Sequence, residues 1–384
     1  MSSPDLSPIR PFLDASHEGF AGSVSAFAAR ELAPRGEPAS DADARREARE
    51  LLATMGKAGV FAPIGAADWR SCCLAREALA AASPLADAVF ALQALGVVPI
   101  LLSDNGAMRE RWLPPTLAGE AMAAFAMTEA GAGSDIASLA TRARRDGEHY
   151  VIQGSKCFIS NAGIADYYTV FASTDPAAGG RGVSCFVVPA DTPGLRFVAP
   201  QVLSSPHPLG EIAFEGCRVP ASHRLGEEGR GLALGLKTLD RLRSTVGAAA
   251  CGMAARALEE AVRHARARRQ FGKPLAEFQL VQEKLARMAT ELTAARLLVY
   301  RAAHAADGGA ERVTLEAAMA KLYATEAAQR IVDDAVQVLG GAGVLAAHPV
   351  DRLYRSVRAL RVYEGTSEIQ HLVIAGQLLQ EGRA

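Results

Sequence analysis

The texture of the chain changes twice, and the order of those textures restricts the fold more than any other feature of the sequence. From about residue 12 to 120, apolar positions recur at helical spacing among Ala, Leu, Glu and Arg. Ser40 and Asp41 are placed to cap DADARREARELLATMGKAG, where Leu51, Leu52 and Met55 share one face and Gly56 or Gly59 can end the helix. Pro84–Leu102 is the most apolar stretch, but it carries Asp87 and Gln93 and reads as a buried helix, not a membrane span. Pro114–Pro115 should then interrupt the helical pattern. Between about 121 and 225 come YVIQGSKCFIS, YYTVFAST, GVSCFVVPA, LRFVAP and EIAFEGCRVP, short β-branched or aromatic runs divided by the turn-forming DGE, TDPAAGGRG, DTPG and SSPHPLG. Strand after strand with no helix between points to an antiparallel sheet or barrel, not a doubly wound sheet. From about 229 the chain is helical again, with Leu232, Leu236, Leu239, Val246, Met253 and Ala257 on one face of a long helix. A break at Phe271–Pro274 precedes helices expected at about 278–306, 314–339 and 366–380. The expected fold is therefore α+β: a helical domain over 1–120, a middle antiparallel β domain over 121–225 and a C-terminal four-helix bundle over 226–384.

At 384 residues, with 49% hydrophobic and 22% charged residues and a formal net charge of -1, nothing in the bulk balance suggests nucleic acid or an anionic membrane as a partner. The six cysteines are scattered apart from the Cys72–Cys73 pair, with no CxxC spacing and no neighbouring histidines. That pattern argues against a zinc site or a disulfide framework and suits a reducing compartment. The N-terminus shows no basic segment followed by an apolar run, so a cytoplasmic location, without a secretory signal or a membrane span, is the expectation.

Four segments could carry chemistry. Gly341-Ala-Gly343-Val-Leu-Ala346 satisfies a GxGxxA pattern, but EAAQRIVDDAVQVL before it is helical, so these glycines end a helix and do not follow a strand as a dinucleotide site requires. AFAMTEAGAGSD, residues 124–135, ends in a Gly-rich turn with Thr128, Ser134 and Asp135. It is either an ordinary connection or a place where backbone N–H groups and hydroxyls meet a ligand. In LRVYEGTSEIQ, Glu364 precedes a glycine and a helix start. It could be a surface capping group, or, with Val362 and Tyr363 beside it favouring burial, a carboxylate raised toward the range of a general base. ARARRQFG, residues 265–272, is a solvated helix end or a phosphate clamp.

Taken together, MTEAGAGSD, KCFISNAG, RRQFGKPLAEFQ, QVLGGAG and YEGTSEIQ resemble the acyl-CoA dehydrogenase family in order and spacing over nearly the whole chain. The resemblance implies FAD between the sheet domain and the C-terminal bundle. Phe125, Thr128 and the Phe158-Ile159-Ser160 strand would contact the isoalloxazine ring, Phe158 standing where many members have Trp. Arg268 and Phe271, with Gln279 close by, resemble residues that reach the FAD of a neighbouring subunit, and Gln337, Gly340 and Gly341 its adenosine side. Gly365, Thr366 and Ser367 match the loop that covers the cofactor. The resemblance makes Glu364 the base that takes the α-proton while a hydride leaves the β-carbon for flavin N5, giving a trans-2-enoyl thioester. Some members carry the base at the position of Leu242, which cannot take a proton. Ser134, Asp240 and Arg243 match contacts to the CoA side of the substrate, although Asp240 and Arg243 also suit a plain i,i+3 ion pair. A dimer of dimers and an electron-transferring flavoprotein as acceptor are implied as well.

The chain departs from the family pattern at VLSSPHPLG, residues 202–210, at His371 where Arg is common, at Gly376 and in its short tail. These leave open the CoA contacts, the tetramer packing and the acyl group. An acyl chain on a carrier protein, or a flavin oxidase or monooxygenase on the same fold, are the alternative readings. A flavin-free scaffold is a third, against which Thr128, Ser160, Arg268, Gln337 and Thr366 stand together.

Overall fold

A computed structural model describes residues 5–380; most of the divergent tail, residues 381–384, lies outside them. Helices α1 (Ala15–Phe27), α2 (Asp41–Lys57), α3 (Ala62–Ala66), α4 (Trp69–Ala82), α5 (Pro84–Leu102) and α6 (Gly106–Leu117) come first. Strands β1 (Ala123–Ala126), β2 (Arg142–Asp146), β3 (His149–Ser160), β4 (Tyr167–Ser173), β5 (Val183–Pro189), β6 (Leu195–Pro200), β7 (Leu209–Pro220) and β8 (Arg224–Leu225) follow. Then come α7 (Gly231–Ala267), a small hairpin of β9 (Arg269–Gln270) and β10 (Lys273–Pro274), α8 (Gln279–Asp307), α9 (Thr314–Leu339), α10 (Pro349–Leu360) and α11 (Ser367–Gln380). The chain divides into two compact units, one of residues 38–67 and 88–239, the other of residues 5–37, 68–87 and 240–380.

The first unit is built on one sheet in the order β6-β7-β3-β2-β4-β5-β8, with β1 added on β4. All five strand-like runs of the sequence are strands. Most pairs are antiparallel as expected, but β1 and β2 run parallel to β4. Every residue of β4 and β5 is buried, because both faces of these central strands are covered. The strand period of two sends Tyr168, Val170 and Ala172 into one core with Tyr150, Ile152 and Phe214, while Tyr167 and Phe171 enter another with Trp112, Met127 and Val187. Edge strand β6 is exposed at five of its six positions and carries Arg196 and Pro200, features that discourage further pairing. Ser40 caps α2 by accepting from Asp43 N–H, and Leu51, Leu52 and Met55 are buried as their spacing implied.

Two expectations about this unit are corrected. Pro114 and Pro115 do not break α6: they occupy its last turn, where a fixed φ suits the helix and Pro114 O still accepts from Ala118 N–H at 3.0 Å. Leu236 is 41% exposed. The packed face of α7 there runs through Gly235, Thr238 and Leu239, and an added Cβ on Gly235 would lie 2.5 Å from Met127 Cε.

The second unit is helical. The helix expected over 314–339 is α9, and its glycines 340, 341 and 343 end it, as the reading against a dinucleotide site required. A fifth C-terminal helix, α10, was not anticipated. Charged groups are buried here in matched sets. Arg76 on α4 donates to both oxygens of Asp87 at 2.7 and 2.9 Å and to Thr245 at 3.0 Å. Glu77 receives the guanidinium of Arg296 and the hydroxyl of Tyr300, the latter at 2.9 Å. His17, Asp68 and Asp307 place possible ligand atoms within 4.8 Å of one another. Asp307, however, caps α4 through the N–H groups of Trp69 and Arg70, and His17 Nδ1 accepts from Asp14 N–H, so these atoms are engaged in helix capping. All six cysteines are free and buried, and burial pushes their thiols up, that of Cys217 to about 11.

The helix Pro84–Leu102 is long and apolar enough to cross a membrane by length and composition alone, and most of it is buried inside the protein. Its polar residues are satisfied internally: Asp87 by Arg76, and Gln93 by the carbonyls of Thr116 and Ala121 and the N–H of Ala123.

Candidate active site

Glu364 lies in the short turn between α10 and α11, and its backbone is left-handed, with φ 54° followed by 94° at Gly365. A non-glycine residue there is held against a local penalty of roughly 1–2 kcal/mol. The holding groups are three side chains that donate to the turn's carbonyls. Lys321 Nζ donates to Gly365 O at 2.7 Å, and Gln370 Nε2 to Gly365 O at 3.0 Å and Glu364 O at 3.3 Å. Arg243 Nε makes a long contact of 3.4 Å to Glu364 O. Gly365 is favoured by its φ, and a Cβ there would lie 2.5 Å from Gln370 Nε2, so the amide that donates to the turn would have to move.

The residue as a whole is half-buried, but its carboxylate end is inside. Oε2 is enclosed and, among the described residues, has no hydrogen-bond partner. Burial raises its carboxyl above the usual carboxylate value, opposed only in part by the positive charges of Arg76, Lys321 and Arg243 and helped by Asp87. The source of that burial differs from the expectation. Val362 and Tyr363 are 52% and 40% exposed as residues, and of the two only the Tyr363 phenol, which burial pushes up beside Arg76, reaches the interior that holds Glu364. The charges that act on the carboxylate come from α4, α5, α7 and α9.

Leu242, the other position considered for a base, is buried at 2% exposure and cannot titrate. Asp240 and Arg243 do form the i,i+3 ion pair, at 2.6 Å, and Asp240 also accepts from the Thr314 hydroxyl at 2.6 Å. Thr366 precedes α11, and its hydroxyl accepts from Ile369 N–H, while the Ser367 hydroxyl donates to Glu326 beside Arg361. Gln337, Gly340 and Gly341 are exposed at the end of α9. Arg268, Phe271 and Gln279 are exposed along the α7–α8 connection, with Phe271 at 94% and φ 49° on the hairpin turn. His371 is exposed on α11.

In the sheet unit, Phe125 packs on Phe171 with ring centroids 4.9 Å apart, and Thr128 O accepts from Cys157 N–H, which ties the end of β1 to β3. β3 then changes register against β7 between Lys156 and Ile159. That irregularity turns Phe158 outward, 60% exposed with φ 56°, its N–H donating to Gln201 Oε1 at 2.6 Å. Ile159 points into the core, so only its backbone can meet a ligand. Ser160 Oγ is 2.7 Å from His207 Nε2. Ser134 is exposed.

Four of these participants were missed in the sequence: Arg76, Lys321, Gln201 and His207. Lys321 had a visible signal, because it falls on the helix face shared by Ala317, Ala318, Ala324 and Thr325, where a lysine is unexpected. His207 lies in the divergent VLSSPHPLG segment, and burial pushes its imidazole down to about 4, with Arg45 adding to the effect.

Residues 14–120, 124–217 and 229–379 match family models described as the N-terminal, middle and C-terminal domains of acyl-CoA dehydrogenase. The 3-(aryl)acrylate reductase of Clostridium sporogenes is 44% identical over 284 residues, 73% of this chain and 75% of its own length. The structure of butyryl-CoA dehydrogenase from Megasphaera elsdenii superposes with a TM-score of 0.89 at 34% identity, covering 96% of this chain and 99% of that one. A glutaryl-CoA dehydrogenase from Mycobacterium smegmatis in complex with FADH2 gives 0.87 at 30% identity, covering 96% of each.

Proposed function

The chain belongs to the acyl-CoA dehydrogenase family, oxidoreductases that dehydrogenate acyl-CoA thioesters, and from that premise we propose that Glu364 is the base that removes the α-proton of the thioester. The observation that carries the proposal is its enclosed carboxylate oxygen, which no donor occupies while cations stand around it. A carboxylate bound by hydrogen bonds would be a poor base, and one buried without them is raised toward working pH. The product would be a trans-2-enoyl thioester.

Family members are flavoproteins, and the residues of this chain fit FAD. The outward ring of Phe158 offers an aromatic face, and the hydroxyls of Thr128 and Ser160 with the backbone of Ile159 offer hydrogen bonds for a polar ring edge. Phe125 supports that region from β1. When bound, FAD would supply the acceptor for the hydride equivalent from the β-carbon. Gly365, Thr366 and Ser367 would cover it. The exposure of Arg268, Phe271 and Gln279, and of Gln337, Gly340 and Gly341, suits contacts to the FAD of a neighbouring subunit, hence a homodimer at least and a dimer of dimers by resemblance. An electron-transferring flavoprotein is the proposed electron acceptor. Ser134 and the accessible Asp240 are the proposed contacts to the CoA side. Arg243, already engaged by Asp240 and the Glu364 turn, would act there through its partner.

The relative named for an (aryl)acrylate reductase favours including aromatic acyl groups, and it raises the reverse direction as a second reading. A raised carboxyl serves both, giving back in reduction the proton it takes in dehydrogenation. The test is anaerobic bleaching of the flavin absorbance by a panel of short, branched, cyclic and aryl acyl-CoA thioesters, in wild type and Glu364→Gln. Bleaching by one class, slowed about 10²–10⁴-fold in the variant, is expected. Wild-type bleaching in Glu364→Gln would remove the base assignment. No bleaching by any thioester in a flavin-loaded protein would turn the reading to carrier-bound acyl groups, or to oxygen chemistry if the reduced flavin reoxidises rapidly in air.

A further inference from the structure

Lys321 has no exposed surface, and burying an ammonium costs several kcal/mol even after relaxation of the surroundings. A Leu or Met would fill the same place on α9 without that cost. Its ammonium donates, among the described residues, to Gly365 O at 2.7 Å, one acceptor for a group with three donors. Among the described residues, no carboxylate lies within ion-pair distance of it. The other cations facing Glu364 are differently placed: Arg76 is bonded to Asp87 and Arg243 to Asp240. Lys321 is, among the described residues, the one positive charge at the turn that a bonded carboxylate does not offset.

We propose that Lys321 is a positioning residue for the base: its ammonium grips the Gly365 carbonyl, holding the left-handed Glu364–Gly365 turn, and its uncompensated charge favours the ionised carboxylate. The inference rests on the reading of Glu364 as the base. The groups facing Glu364 are Arg76 from α4, Asp87 from α5, Arg243 from α7, Lys321 from α9 and the Tyr363 phenol of its own turn. Glu326 and Glu368 also act on Lys321, but Glu326 is bonded to Arg361 and Ser367, and Glu368 stands on the exposed side of α11. Burial brings the ammonium down to about 8, with Glu364 holding it up, so it is charged at neutral pH.

The test compares flavin-loaded wild type, Lys321→Gln, which keeps a donor and removes the charge, and Lys321→Met, which removes both. The rate of bleaching by the best thioester is followed against pH, and hydrogen exchange is followed over the turn at 361–367. In Lys321→Gln the acid limb of the rate profile should move up by about one pH unit, an approximately tenfold loss at a pH on that limb, with the plateau little changed. Lys321→Met should also lose plateau rate, and its turn amides should exchange several-fold faster. A folded, flavin-loaded Lys321→Gln whose limb does not move overturns the proposal. So does failure of both variants to fold, which would make the lysine a structural element. Glu364→Gln keeps the two readings apart: if it bleaches like wild type the base assignment fails, and if it is inactive while Lys321→Gln keeps its limb, only the lysine inference fails.

Discussion

Lys156 and Lys321 are both without exposed surface, one in the sheet unit and one in the helical unit, and burial brings both down to about 8. Their partners differ. Lys156 donates to Glu129 Oε1 at 2.7 Å and to Met127 O at 2.9 Å, and Glu129 accepts two more bonds from the N–H groups of Ala140 and Thr141. Lys321 donates to a carbonyl, and the carboxylate it faces keeps an oxygen unbonded. The two carboxyls respond in opposite senses. Burial pushes Glu129 up, but Lys156 and the donors around it outweigh burial and hold it below the usual value, whereas Glu364 is left above it. A buried cation bonded to a carboxylate fixes structure. One that stands near a carboxylate without bonding it leaves that carboxylate free to exchange a proton.

The strongest way to break this comparison is to make the first lysine resemble the second. Glu129→Ala leaves Lys156 with a carbonyl alone, in a place not built for it. The loss expected from urea unfolding is about 3–5 kcal/mol, the usual cost of orphaning a buried partner. Glu364→Gln, which removes a buried charge that is poorly compensated, should change stability by no more than about 1 kcal/mol, or raise it, in keeping with the trade between activity and stability at active sites. Equal losses in the two variants would mean that Glu364 is a structural group like Glu129.

A smaller effect lies in the pH dependence of unfolding. Glu129, with a folded pKa below 4.5, contributes stability that is present above 4.5 and lost as pH falls through the folded value. Glu364, with a folded pKa above 4.5, contributes stability that is present below 4.5 and lost as pH rises through the folded value. Glu129→Gln and Glu364→Gln should therefore bend the acid side of the stability profile in opposite directions. Both lysines have folded values near 8, below the 10.5 of a free lysine, so the unfolded chain holds more protons between those limits. Stability should rise across that window by at most about 1.4 kcal/mol per pH unit for each lysine. Lys156→Met and Lys321→Met should each remove one share of that rise, and a rise that survives both would belong to other groups.

The sequence reveals the two lysine environments unequally. The strands around Lys156 were legible because β-branched and aromatic runs alternate with strong turn residues, and α9 was legible because its periodicity is unbroken from 314 to 339. β2 was not: RARRD has little intrinsic strand preference and is a strand because it pairs with β3 across the Asp146–Gly147–Glu148 turn. α10 begins with His348 as its cap and Pro349, without the Ser, Thr, Asp or Asn that marks most helix starts. Glu364 itself stood out through its motif. Its electrostatic setting did not, because Arg76, Asp87, Arg243 and Lys321 come from four separate stretches of chain, and of the neighbours that suggested burial Val362 is exposed and Tyr363 buries only its phenol end.

The left-handed backbone at Glu364 also bears on how the chemistry of such a protein can evolve. Asn and Asp occupy that conformation more readily than other non-glycine residues, and β-branched side chains are nearly excluded from it. Replacement of the glutamate is therefore channelled. Drift to a carboxylate one methylene shorter, or to its amide, meets less backbone resistance, so under the role proposed for Glu364 a relative with a shorter reach or with no base at all is accessible on an unchanged scaffold. Drift to Val, Ile or Thr would first have to remodel the turn.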